Sequence, residues 1–193
     1  DVCSSDLFTR ATGARHRVGY ANYQYAKFYT DLLTSSADFW QRTPTHSAEQ
    51  QLALLGFVGI AVEDRPPSRL PIADEALRSI EQRLVNSTLR DPHSPFVLLH
   101  PSTAFITKQW PAENFARLAE HLAERGLATV AVASKSEASV LEELVAQSNV
   151  PVTTFDDLSL PEITALASQA KLFVGNDSGI AHIAAAVGTQ TLV

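Results

Sequence analysis

KLFVGNDSGIAHIAAAVGTQTLV, residues 171–193, decides how this chain is read. Leu172, Phe173 and Val174 form a short apolar run that Gly175 stops. Asn176, Asp177, Ser178 and Gly179 then supply helix-starting side chains and small residues where the chain must turn. From Ile180 a helix is expected through His182, Ile183 and the alanines to Val187, with Gly188 ending it. Asp177 and Ser178 are expected to cap that helix, and His182 stands one turn on from Ser178 on the same face. A strand that delivers such a turn onto a free helix N-terminus makes an anion site. Unpaired backbone N–H groups and the positive end of the helix dipole converge there. The expected occupant is the phosphate part of a nucleotide.

Working back from that stretch, the pattern repeats. Phe96-Val97-Leu98-Leu99 is an unalternating apolar run, as in a strand buried on both faces. A helix over 112–125 follows, with Phe115, Leu118, Ala119 and Leu122 on one face and Gly126 as its stop. Ala128–Ala133 is a second apolar strand. Ser134 and Glu137 have capping-box spacing ahead of a helix over 136–147. Val152–Phe155 is a third strand, and Ser159 with Glu162 repeats the capping-box spacing before Ile163, Leu166 and Ala167. Short links between alternating strands and helices predict a doubly wound parallel α/β domain. Ligands of such sheets lie beyond the carboxyl ends of the strands, so the informative loops follow Leu99, Ala133, Phe155 and Val174.

The first of those loops, 100–111, carries the hydroxyls of Ser102, Thr103 and Thr107 and the cation of Lys108, just before a helix start at Pro111. Lys108 beside a helix N-terminus suits a pyrophosphate; an ordinary surface lysine is the plainer alternative. Trp110 reads as a packing anchor. In the second loop Glu137 is a ribose-binding candidate as well as a capping residue. Neither a P-loop nor a GxGxxG follows any strand, and the acids and histidines lack metal-ligand spacing such as HExxH.

The rest of the chain is less regular. Residues 14–20 set Arg15, His16 and Arg17 before a Val-Gly-Tyr segment. They read either as a solvated turn entering an edge strand or as a basic loop facing an anionic acceptor. A helix is expected from His46 through Ala48, Leu52 and Leu55, capped by Ser47. Residues 63–95 hold five of the ten prolines around a helical stretch at Leu77, Ile80 and Leu84, the composition of a connection between domains.

The 193 residues carry a net charge of −6 and are 45% hydrophobic and 19% charged. This is ample for a buried core and argues against bulk nucleic-acid binding. The longest apolar run, Leu52–Val62, contains two glycines and falls short of the roughly 18 residues a spanning helix needs. With no methionine and an end at Thr191-Leu192-Val193, in what reads as a strand just begun, the chain is expected to be a piece of a longer protein. Residues 1–7, DVCSSDL, match the translation of a common sequencing-adapter oligonucleotide and are expected to stand outside the natural protein. The single cysteine, Cys3, lies among them.

Together, LLHPSTAFITKQWPAENFARLAEHL and FVGNDSGIAHIAAAVGTQTLV resemble glycosyltransferase family 9, the ADP-heptose:lipopolysaccharide heptosyltransferases. The first is similar to that family's strand, small-residue loop and Lys-x-Trp-Pro helix start. The second is similar to its Asp-Ser/Thr-Gly-x-x-His-x-x-Ala-Ala-x-Gly-Thr signature. The resemblance implies an α/β protein of GT-B type, with two Rossmann-like domains truncated here at both ends. Residues 8–62 would be the remnant of an N-terminal acceptor-side domain and 63–95 the connection. Residues 96–193 would be an incomplete C-terminal domain that holds the nucleotide sugar.

On the same resemblance, Ser102, Thr103 and Lys108 contact the ADP phosphates, with Lys108 stabilising the leaving group. Asp177, Ser178, Gly179 and His182 wall the site near the sugar. Lys135 stands where relatives often have an acid, leaving Glu137 for the adenosine side, and Arg15 and Arg17 are acceptor-side candidates. The implied reaction is inverting heptose transfer from ADP-heptose to the lipid A–core acceptor. It needs no metal or other cofactor, and the general base lies outside this chain. The implied protein is a cytoplasmic monomer, peripheral at the inner face of a Gram-negative inner membrane, with no nucleic-acid partner. The alternatives are another GT-B enzyme using a UDP-sugar, as transferase or epimerase, and a non-catalytic nucleotide-binding module.

Overall fold

Strand β3 (Phe96–His100) is buried along its whole length, and its side chains alternate between two cores. Phe96 and Leu98 belong to one apolar cluster, Val97 and Leu99 to the other. A strand with both faces covered reads as a continuous apolar run, which is why it was visible in sequence. Our computed structural model describes residues 2–43, 46–62, 67–89, 91, 93–103, 107 and 109–193, without the side chains of residues 2–4. The chain divides into two compact units between residues 66 and 67.

In the first unit, helix α1 (Val2–Ala11) precedes strand β1 (Val18–Tyr20) and, after a 3-10 turn at Ala26–Phe28, strand β2 (Asp31–Leu33). The two strands pair in parallel. Helices α2 (Ser36–Trp40) and α3 (Ser47–Phe57) follow. Tyr20, Leu33 and Ala53 form the core, with Tyr23, Phe39, Trp40 and Leu54 packed around it. The cap of α3 differs from expectation. His46, not Ser47, is the N-cap, because its Nδ1 accepts the Ala48 N–H at 3.2 Å while Glu49 accepts the His46 N–H at 3.2 Å. Within α1, Asp6 is buried and accepts a hydrogen bond from the Tyr29 hydroxyl.

The second unit opens with helix α4 (Asp74–Val85), followed after β3 by α5 (Ala112–Ala123) and β4 (Ala128–Val132). Next come α6 (Ala138–Gln147), β5 (Val152–Phe155), α7 (Leu160–Gln169) and β6 (Leu172–Gly175). Helix α8 (Gly179–Ala186) and strand β7 (Thr191–Leu192) follow. All strand pairs are parallel, in the order β5-β4-β3-β6-β7. Helices α5 and α6 cover one face; α4, α7 and α8 cover the other.

The helix expected within a connection, α4, is therefore part of this unit. Its Ile80 and Leu84 are fully buried with Phe96, Leu98 and Leu166. Each such side chain contributes about 1.5–3 kcal/mol through burial. Leu70, just upstream, donates its N–H to the Ala186 carbonyl at the end of α8 (3.1 Å). The expected helix over 136–147 begins instead with a 3-10 turn, Lys135–Glu137, because the capping box of Ser134 and Glu137 closes that turn first. Gly188, at φ +90, ends α8 as expected, with Gly188 and Thr189 donating back to Ala185 and Ala184. Among the described residues no helix is long and apolar enough to cross a membrane.

Candidate functional site

From β3, chain order runs outward to β4 and β5 on one side and to β6 and β7 on the other. The switch point of the sheet thus lies between the carboxyl ends of β3 and β6. His100 and Gly175 face each other there in register. The approach is close: a Cβ on Gly175 would stand 2.9 Å from the His100 carbonyl oxygen and 2.8 Å from the Phe173 ring. Only glycine lets the two strand ends come this near.

The loops that leave these ends are tied together. Asn176, 5% exposed, donates its N–H to the His100 carbonyl (3.2 Å) and its Nδ2 to the Pro101 carbonyl (2.8 Å). Its Oδ1 accepts the Trp110 N–H at 2.9 Å. Thr103 adds a bond from Oγ1 to the Asp177 carbonyl (3.3 Å). The β3–α5 loop is thus held at both ends against the turn that starts α8. Trp110, expected to be a packing anchor, stacks edge-on to Phe115 with ring centroids 4.8 Å apart, yet it is 42% exposed. It borders an open cavity of about 600 Å³ shared with Leu118, Val174 and Leu192.

Ser178 occupies the N-cap position of α8 in extended conformation, φ −153 and ψ 167. It does not cap as expected. Its Oγ is shut off from solvent and has no hydrogen-bond partner among the described residues. The neighbouring Gly179 leaves space: a Cβ built there meets nothing within 4 Å. Helix geometry leaves the first N–H groups of α8 without intrahelical partners. A small-residue helix start with a spare buried hydroxyl is suited to receive an anion. His182, one turn on, is exposed.

Across the switch point, Ser102 is 2% exposed and donates its hydroxyl to Glu137 Oε1. Glu137 Oε2 also accepts from the Ser134 N–H (3.2 Å) and the Ser134 hydroxyl. The capping and site readings of Glu137 therefore coincide in one carboxylate. Partial burial pushes its pKa up, but the hydrogen bonds from Ser102 and Ser134 outweigh this and hold it below the ordinary value. His100 is buried, with Nδ1 2.9 Å from the Val132 carbonyl. Because a carbonyl only accepts, Nδ1 carries the proton. Desolvation lowers the His100 pKa against the raising effects of Val132 and Glu137.

Lys108 lies outside the described residues. Ser102, Thr103, Asp177, Ser178 and Gly179 are gathered at the switch point by the contacts above, Glu137 joins them through Ser102, and His182 lies on the same short helix. Arg15 and Arg17 belong to the first unit. Arg15 is exposed, whereas Arg17 is used locally, with Nε donating to the Phe28 carbonyl (2.7 Å) and a terminal nitrogen to the Ala14 carbonyl. Among the described residues no three His, Cys, Asp or Glu side chains form a metal-ligating group. Asn176 and His100 were not foreseen as organisers of the site. The one sequence signal was their place at the carboxyl ends of adjacent apolar runs.

The sequence profile of glycosyltransferase family 9 (heptosyltransferase) matches residues 1–193. The chain belongs to that family. Lipopolysaccharide heptosyltransferase 3 of Escherichia coli K12 is 27% identical over 152 residues, which is 77% of this chain and 43% of the relative. A family 9 glycosyltransferase from Veillonella parvula DSM 2008 superposes with a TM-score of 0.78 at 18% identity, over 96% of this chain and 52% of that one. The ADP-heptose lipopolysaccharide heptosyltransferase II of E. coli gives 0.74 at 22% identity, over 97% and 58%. The fold is thus that of the GT-B heptosyltransferases, and the chain spans about half the length of these family 9 relatives.

Proposed function

We propose that this chain holds the donor side of a heptosyltransferase that moves heptose from ADP-heptose to the inner core of lipopolysaccharide with inversion. The reading is carried by the meeting of the α8 N-terminus with the β3–α5 loop, tied through Asn176 and through Thr103 to Asp177. Residues contributed by the two loops would grip the diphosphate from two sides. Glu137, held ionised and bonded to Ser102, would take ribose hydroxyls. As the sugar departs, negative charge grows on the diphosphate. The α8 dipole and Lys108 then stabilise the transition state more than the ground state. His182 completes the wall near the sugar.

The transfer uses no metal. A base outside these 193 residues deprotonates the acceptor hydroxyl, so the chain alone binds nucleotide without turnover. Arg15, exposed in the first unit, would meet an anionic acceptor; Arg17 is engaged with its own backbone. The enzyme would work as a monomer on the cytoplasmic face of a Gram-negative inner membrane, with the lipid A–core molecule as acceptor.

Calorimetry of the 193-residue chain with ADP and with UDP tests the donor reading. Preference for ADP is expected, whereas preference for UDP would return the UDP-sugar alternative. A folded chain that binds neither would overturn the reading. Sugar transfer by the chain alone would refute the external base. In the full-length enzyme, Lys108→Ala is expected to lower kcat with little effect on folding, and an unchanged rate would remove Lys108 from the site.

A further inference from the structure

We infer that Asn176 is a positioning residue: the clasp that holds the anion-binding loop in its binding geometry. The inference rests on the donor-site reading above and adds a residue to it. Asn176 is nearly inaccessible, and its side-chain amide is held at both nitrogen and oxygen by partners of opposite kind. Pro101 offers a carbonyl and Trp110 an N–H. One acceptor and one donor fix the orientation of the amide, because the flipped amide would set like against like at both contacts.

Those partners are the first residue of the loop and the last before Pro111, the N-cap of α5. A single side chain therefore ties the loop's two ends together beside Ser102 and Thr103. The same residue's N–H is bonded to the His100 carbonyl, and the His100 ring bridges on to Val132. A lateral chain of hydrogen bonds thus links the ends of β4, β3 and β6 to the entry of α5. Without the clasp Pro101 and Trp110 lose their shared side-chain tie while the Thr103–Asp177 bond remains, and a nucleotide must then select the binding geometry from a broader set.

Three variants separate positioning from plain support of the fold. Asn176→Leu keeps the volume and deletes both bonds. Asn176→Asp keeps the acceptor for Trp110 but, when ionised, sets a carboxylate against the Pro101 carbonyl; when protonated, it can donate there again. Asn176→Ala controls for lost bulk. ADP affinity of the 193-residue chain is measured by calorimetry, with unfolding followed by circular dichroism and Trp110 amide exchange by NMR. The ionisable neighbours are His100, Asp177 and, behind Ser102, Glu137. The wild-type chain titrated in parallel subtracts their effect and that of ADP itself.

The leucine variant, and the aspartate variant at pH 8, should bind ADP about ten- to hundredfold more weakly while still folded. Their Trp110 amide should also exchange faster. At pH 5 the aspartate variant should return to within about threefold of wild type, since burial raises its pKa. If the wild type binds ADP and the folded variants bind it equally well, the clasp is refuted and the donor site stands. The clasp is likewise refuted if affinity is lost but the aspartate variant shows no recovery at low pH. If any variant fails to fold, Trp110 exchange and the pH dependence in those that do fold decide. Failure of the folded wild type to bind ADP overturns the donor reading, and the clasp with it.

Discussion

Replacing Ser178 by alanine removes a hydroxyl that makes no cap bond to α8, so the fold should gain and the ligand should lose. The Oγ is buried and has no partner among the described residues. An unmatched buried hydroxyl costs roughly 1–3 kcal/mol. The usual penalty for replacing an N-cap serine, about 1 kcal/mol, comes from the lost cap bond. Here no such bond exists. Ser178→Ala should therefore raise stability by about 1 kcal/mol, a Tm increase of roughly 3–5 °C for a unit of this size. Binding should move the other way. A hydroxyl that donates to a diphosphate is worth about 1.5–3 kcal/mol, so ADP affinity should fall about ten- to hundredfold. Thermal unfolding with and without ADP reads both effects at once, because a ligand at free concentration L that binds only the native state stabilises it by RT ln(1 + L/Kd). A variant that is less stable by about 1 kcal/mol would show that Oγ is partnered in the free protein. A stabilised variant with unchanged ADP affinity would show that the hydroxyl is not reserved for ligand.

Glu162 accepts from the Ser159 hydroxyl and N–H and from Ser79, with Arg83 3.2 Å away. Its carboxyl is held down to about 2 from 4.5, first by the Ser159 hydroxyl, then by the Ser159 N–H and Ser79, with Arg83 adding to them. A depressed folded-state pKa gives stability that is present above the ordinary value and is lost as pH falls towards the folded one. Acid unfolding should therefore steepen between pH 4.5 and 2, and Glu162→Gln should flatten that slope; an unchanged slope would remove Glu162 as its source. Ile80→Ala, in a helix whose surroundings read as a connection, should destabilise the second unit by about 2–5 kcal/mol in urea titrations. A loss below about 1 kcal/mol would put α4 outside the core.

The second unit was legible because a parallel sheet covered on both faces writes itself as apolar runs separated by amphipathic helices. Each expected strand from Phe96 onward is present, and the helix boundaries moved by only a few residues. The first unit was not legible in the same way, since β1 and β2 are three residues each and carry little periodicity. Helix α4 was misplaced because prolines on either side imitate a linker, and sequence does not reveal what Ile80 packs against. The cap of α3 was missed because a histidine ring accepting at Nδ1 is not a usual N-cap. At the site, residue types were readable but partnerships were not. Asn176 looked like a turn residue, and Ser178 looked like a cap. Glu137 could be weighed only as capping residue or ligand, whereas the fold uses one carboxylate oxygen for Ser102 and the other for Ser134.

The strand order also sets when the site comes into being. Central β3 takes β4 as its first neighbour, but its other neighbour, β6, is made only after β5 and α7 have followed. The Asn176–Pro101 bond joins residues 75 positions apart. During synthesis from the N-terminus, one half of the sheet can assemble while the loop after β3 waits with its ends untied. Long-range parallel pairings of this kind close late and slowly. Nascent chains halted before residue 172 should hold folded β3, β4 and β5 but no nucleotide. The binding site is then assembled only once β6 has been made, and nucleotide binding reports that the two halves of the described sheet have met.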